Sequence, residues 1–194
     1  MLPDFVPGRR NTFHEFVNRT RHQTTENYFL KGELLIIKDL LEDVEKPEFI
    51  QKILRPRMTT LTVWPYFNGR RPAVSERERY YCVVKGEEEF RIVSPVYKQN
   101  IYSGVLEELQ PNESPIDFFS TNVDSSKFPL YSETKVLGVT LKAGQCMFVP
   151  AFYWVQSETK TGNEHSILVN YEFETHSELL NLLFQAIDQG ILEN

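Results

Sequence analysis

Few residues in this chain have the types and spacing that chemistry requires. The four histidines are His14, His22, His165 and His176. None stands in a His-x-Asp or His-x-x-x-His pattern, the spacings that bring two metal donors to one side of a strand or helix. Each is expected to be a surface or satisfied histidine, with a metal site rebuilt from His165 and a remote histidine as the alternative. The chain has no Gly-x-Ser-x-Gly, phosphate loop, dinucleotide fingerprint or Cys-x-x-Cys. Cys82 and Cys146 lie in strand-like apolar runs. They are read as two buried thiols in a reducing compartment, with a disulfide or a metal pair as alternatives. The densest charged stretch surrounds Gly86, with Arg77 and Arg79 before it and Glu87, Glu88 and Glu89 after it.

The elements that must position these residues are mostly strands. Residues 59–64, rich in Thr and Val and ending at Trp64, read as one. Arg79 to Val84 and Glu88 to Val93 are two more, on either side of a turn at Gly86. Val136 to Leu141, Cys146 to Val149 and His165 to Phe173 complete the set, with Ala143-Gly144 as a turn and Phe152 to Val155 extended. Upstream, Leu34-Leu35-Ile36-Ile37 fits a buried strand, and Pro47 starts a helix carrying Phe49, Ile50, Ile53 and Leu54. Residues 98–130 hold Pro111, Pro115 and Pro129 and read as a long irregular insertion that covers the end of the strands. The chain closes with an apolar helical stripe that includes Leu179, Leu183, Phe184 and Ile187. This order predicts one domain over 1–194. A helical and strand layer spans 1–57, the strands 58–173, and a terminal helix 174–194.

Four segments resemble the jumonji-C and cupin-like family of iron(II)/2-oxoglutarate oxygenases. Arg70 to Pro95 is similar to its pattern His-x-Asp/Glu, then Asn-Leu-Leu-x-Gln-x-x-Gly-x-Lys-x-Phe-x-Leu-x-x-Pro. Leu141 to Ala151 is similar to Leu-x-x-Gly-Asp-x-Leu-Phe-Ile-Pro-Ala, and Ser166 to Phe173 to Ser-Ile-x-Val-Asn-x-Trp-Phe. Tyr28 to Leu41 is similar to the family's opening strand. The resemblance implies a mainly β fold with flanking helices. That fold is a double-stranded β-helix (cupin, jelly-roll) with an N-terminal helical layer and a C-terminal helix. It also implies a facial triad of two histidines and a carboxylate holding iron. Those positions fall here on Ala73, Ser75 and Val155, and a methyl, a hydroxyl and an isopropyl group do not hold a divalent metal. The family's lysine for 2-oxoglutarate falls on Glu88 and its asparagine on Arg79. If Glu88 faces inward beside Phe90 and Ile92, its carboxylate needs a partner. Arg79, or failing that Arg77, is expected to supply it; the alternative is a slipped strand with all three glutamates in water.

Composition bounds the rest. The chain has 194 residues, 41% hydrophobic and 25% charged, with aromatics at 13%. That is enough for one packed core. A net charge of −6 tells against nucleic-acid binding. No apolar run reaches the roughly 20 residues of a membrane span, and no secretory signal is visible at the start. An intracellular, cytoplasmic protein is expected. The expected function is a non-catalytic cupin-like domain without cofactor or metal. It would act as a structural or interaction module, with a protein partner or second copy on the C-terminal helix or on the insertion (Tyr102, Phe118, Phe119, Tyr131). An active hydroxylase or demethylase with displaced ligands is one alternative. A small-ligand cupin is the other, with Trp64, Tyr66, Tyr80 and Trp154 lining its mouth.

Overall fold

A computed structural model describes residues 30–33, 47, 48, 50, 56, 58–64, 71–105, 112–160 and 166–173. These residues form two antiparallel sheets. Five strands make the larger one: β1 (Leu30–Glu33), β2 (Met58–Trp64), β4 (Glu78–Lys85), β7 (Cys146–Val149) and β9 (Ser166–Phe173), in the order β1-β2-β9-β4-β7. Four strands make the smaller: β3 (Ala73–Val74), β5 (Glu87–Val93), β6 (Val136–Lys142) and β8 (Trp154–Thr159), in the order β3-β8-β5-β6. The chain changes sheet repeatedly, as in a jelly-roll. The turn at Gly86 is one such change. There φ is +85°, open to glycine and strained for other residues. The strands it joins do not pair with each other; β4 pairs with β7 and β9, and β5 with β6 and β8.

Side-chain alternation sorts the strands into three apolar layers. Between the sheets lie Val83, Phe90, Ile92, Leu141, Val149, Val155 and Leu168. Outside the larger sheet lie Leu61, Cys82, Val169, Tyr171 and Phe173, with Ile50 packed on them. Outside the smaller sheet, Val93 and Trp154 pack against Ile101, Ile116 and Phe118 of the insertion. The insertion thus covers an outer sheet face. Phe118 is 5% exposed and stacks on Tyr131, Tyr102 packs edge-on to Phe128, and Arg91 lies over the Phe119 ring. These aromatics were expected on a free surface; they are instead the apolar underside of a strap. Gln156 fastens it, accepting from the Phe118 N–H at 2.6 Å and donating to Asp117 at 2.8 Å. The expected strand at 34–41, most of the N-terminal layer and the C-terminal helix lie outside the described residues. No helix among the described residues is long and apolar enough to cross a membrane.

The expectation of two free thiols is corrected. Cys82 and Cys146 form a disulfide, although 64 positions separate them. They are register partners on β4 and β7 with Cα atoms 4.1 Å apart, so both sulfurs project from the outer face of the sheet. Spacing in sequence says nothing of that register. Cys146 is exposed rather than buried, and such a bond persists where the surroundings are oxidising. The reducing-compartment expectation thereby loses the cysteines as its support. By the chain-entropy estimate, a cross-link over this span stabilises by at most about 4 kcal/mol. Cys146→Ser is expected to lower the unfolding free energy by about 2–4 kcal/mol. Urea unfolding with and without a thiol reductant checks this, since reductant should weaken the parent chain and leave the variant unchanged.

Candidate functional site

The family's ligand positions come together inside the sheet pair. Ala73 and Val155 are direct register partners on β3 and β8. Val155 belongs to the layer between the sheets, and Ala73 stands opposite it on the same side. Ser75 follows two residues after Ala73. Its hydroxyl accepts from the Arg77 N–H at 3.1 Å and its carbonyl from the Phe152 N–H at 2.8 Å. The converging surface is therefore hydrocarbon, plus one hydroxyl already engaged by backbone. Among the described residues no group of three or more His, Cys, Asp or Glu comes together. All four histidines lie outside the described residues.

Arg79 adds a charge of the wrong sign for a metal. It is 6% exposed and points inward from β4. Its Nη2 donates to the Tyr153 carbonyl at 3.0 Å, and the guanidinium lies 5.5 Å from the centre of the Tyr81 ring. The Tyr153 carbonyl follows Phe152, which sits at φ +66°. A bulky residue at such an angle is strained by about 1–3 kcal/mol, and the Phe152 N–H bond to Ser75 helps hold it there. Among the described residues, the positions that the resemblance assigns to an iron centre carry a methyl, a hydroxyl and an isopropyl group, which do not fit a site of two imidazoles and a carboxylate.

Glu88 is fully buried on the same face as Phe90, as expected for an inward strand. Its partner differs from the one expected. Thr159 donates its hydroxyl to the Glu88 carboxylate at 2.7 Å. Neither arginine reaches it: Arg79 is engaged at Tyr153, and Arg77 pairs with Glu172 at 3.1 Å. Arg79 precedes the Gly86 turn by seven positions, so the strand carries it about 20 Å from the end where Glu88 sits. The slipped-strand alternative is likewise excluded, because Glu88 and Glu89 are both buried. Glu89 faces the outer side, between Arg91 and Lys160. Burial pushes its carboxyl up, but Lys160 and Arg91 together outweigh this and hold it below the ordinary value.

Tyr80 and Trp154 face away from the interior. Tyr80 packs on Phe148 and Phe173 outside the larger sheet, and Trp154 packs under the insertion. The Trp64 side chain and Tyr66 lie outside the described residues, as do Leu179, Leu183, Phe184 and Ile187. Polar side chains on the inner faces include Thr60, Arg79, Asn170 and Glu172 of the larger sheet and Glu88 and Thr159 of the smaller. Alternation along residues 166–173 groups Asn170 with Leu168 and Glu172 but does not say that this face is inside. Thr60 was not legible either, because threonines in a β-branched run carry no functional signal.

A family profile described as a cupin-like domain matches residues 8–179. Among curated proteins, the chain is 30% identical over 78 residues to JmjC domain-containing protein D of Dictyostelium discoideum, covering 40% of this chain and 17% of that protein. It is 28% identical over 101 residues to JmjC domain-containing protein C of the same organism, covering 52% and 23%. It is 24% identical over 128 residues to the human bifunctional peptidase and (3S)-lysyl hydroxylase JMJD7, covering 57% and 40%. The chain thus spans well under half the length of these relatives. A solved structure of the Drosophila melanogaster CENP-C cupin domain aligns with TM-score 0.37 and 9% identity over 61% of this chain and 62% of that one.

Glu89 gives a pH dependence with a defined sign. Its lowered pKa means that its stabilising contribution is present above the ordinary value of 4.5 and is lost as pH falls through the lowered one. Glu89→Gln is expected to cost about 1 kcal/mol near neutrality and progressively less below pH 4.5. Urea unfolding of both proteins across that range checks it.

Proposed function

The chain belongs to the cupin-like domain family, and on that premise we propose that this member is non-catalytic. It is a pseudo-oxygenase domain serving as a structural or protein-interaction module, without metal or 2-oxoglutarate. One observation carries the reading: Ala73 and Val155, the two histidine positions by resemblance, are direct register partners in the interior and bear only hydrocarbon. β3 and β8 meet at these two positions, and the side chains of Ala73 and Val155 have no donor atoms. Arg79 reinforces this with a buried positive charge nearby. Glu88, at the position where the family's lysine would meet the co-substrate's distal carboxylate, would repel that group. What the relatives named above do as whole proteins does not carry over to residues of these types.

The interaction role rests on the apolar stripe of Leu179, Leu183, Phe184 and Ile187, broader than a lone surface helix needs. Its occupant is a protein partner or a second copy of the chain.

Two measurements test this. Purified chain incubated with Fe(II) or Mn(II), then desalted, is expected to retain no stoichiometric metal by elemental analysis. Near-equimolar retention would instead establish the active-oxygenase alternative. Leu183→Glu is expected to abolish self-association or partner capture, read by light scattering and by pull-down from the native source. It should leave the melting temperature within about 4 °C, as expected for a surface change under 1 kcal/mol.

A further inference from the structure

Strand β6 is an edge of the smaller sheet and pairs only with β5 among the described residues. In an antiparallel ladder, alternate residues turn their N–H and C=O groups to opposite sides. Lys142 fixes which of them turn outward. Its N–H donates to the Gln145 side chain and its carbonyl accepts from the Gln145 N–H, so it faces away from β5. By alternation Val136, Gly138 and Thr140 face away as well. No backbone group among the described residues bonds to them from that side. Exposed edges are commonly blunted by proline, a bulge, an inward charge or short length. β6 has none of these: it is 7 residues long, its register with β5 is unbroken, and its inner residues are Leu137, Val139 and Leu141.

The two faces of this edge differ. On the inner face, the row Ala73, Val155, Ile92, Leu137 crosses the whole smaller sheet. Exposure rises from 8% at Val155 and Ile92 to 61% at Leu137, so this apolar row runs out of cover at the edge. The charge along the edge is positive. Lys135 and Lys142 are exposed, make no ion pair among the described residues, and have no acid between them. On the outer face the Arg91 guanidinium reaches across from β5 over Gly138, where an added Cβ would stand 2.6 Å from it. Glu89 engages that guanidinium, and nothing acidic answers the two lysines. Two such edges set together would crowd charges of one sign, which tells against a second copy and for an acidic occupant.

We propose that β6 takes an extended segment of a partner protein as an added strand, and that this segment alternates acidic with apolar residues. Its backbone bonds to Val136, Gly138 and Thr140, the main-chain mode of strand addition. Apolar side chains on one face cover Leu137 and Val139. Acidic side chains on the other stand opposite Lys142 and opposite Gly138, beside Arg91. Running antiparallel from the Lys142 end, the segment reads acid, apolar, any, apolar, acid, apolar. The site deepens the interaction reading and rests on it, at a surface separate from the C-terminal stripe.

The full chain is titrated with fluorescein-labelled Ser-Glu-Val-Thr-Val-Glu-Val-Ser. Polarisation and the amide resonances of Val136, Gly138 and Thr140 are the readouts. Saturable binding that shifts these resonances is expected. Replacing both glutamates by lysine should weaken it about tenfold or more. Methylating the Thr and second Glu nitrogens, which face β6, should abolish it. Lys142→Glu should weaken the acidic peptide about fivefold and favour the lysine peptide; Leu137→Ser should weaken both. Both positions are exposed, so the fold is retained. No saturable binding, no loss on methylation, or equal affinity for the lysine peptide overturns the proposal. Self-association of the chain that shifts the same resonances overturns the acidic partner in favour of a second copy. If the peptide fails while Leu183→Glu still abolishes capture, this edge alone falls; if both fail, the interaction reading falls with it.

Discussion

One apolar seam holds the two sheets together, and the rest of the structure depends on it. Phe90 is wholly buried there, with Val83, Leu168, Val149 and Val155 around it. Burying side chains of this size contributes about 1.5–3 kcal/mol each, the dominant favourable term in folding. The seam exists because β4 and β5, consecutive in the chain, go to opposite sheets at Gly86. Had they paired as a hairpin, Val83 and Phe90 would share one sheet and could not face each other. The same seam decides what the interior can do, since Val155, a ligand position by resemblance, is one of its members.

Around the seam, polar groups are partitioned by depth. The outer face of the smaller sheet satisfies its charges locally: Glu89 lies between Arg91 and Lys160, and Gln156 serves the insertion. Gly138 belongs to this arrangement, because an added Cβ would stand 2.6 Å from the Arg91 guanidinium. The inner end of the larger sheet differs. Arg79, Thr60 and Asn170 keep unmatched atoms there, although burial makes such atoms costly. A chain with no use for polarity at that place would fill it more stably with hydrocarbon.

A jumonji-C-like frame does not by itself fix the chemistry of the interior. Family membership reports how strands close a core, and activity reports a few side chains placed on them. In this chain the frame brings β3 and β8 together at the required place. The residues they carry there are Ala73 and Val155.

The order of strands was legible in the sequence, because two-residue alternation and β-branched runs are local properties. So were the ends at Gly86, Gly144 and Pro150, which backbone geometry imposes. That Glu88 shares a face with Phe90 followed from alternation; that the face is inward did not. Partnership was not legible. Glu88 meets Thr159 instead of an arginine, and Cys82 meets Cys146, because pairing depends on register between strands far apart in the chain. The facing of Tyr80 and Trp154 toward outer layers also needed the fold, since alternation says which residues share a face but not which face is inside. By itself the sequence determined most of the strands and the side-chain types they carry. Only the tertiary structure decided which side chains meet, because contact across a sheet is set by register and sheet order, and no local pattern encodes either.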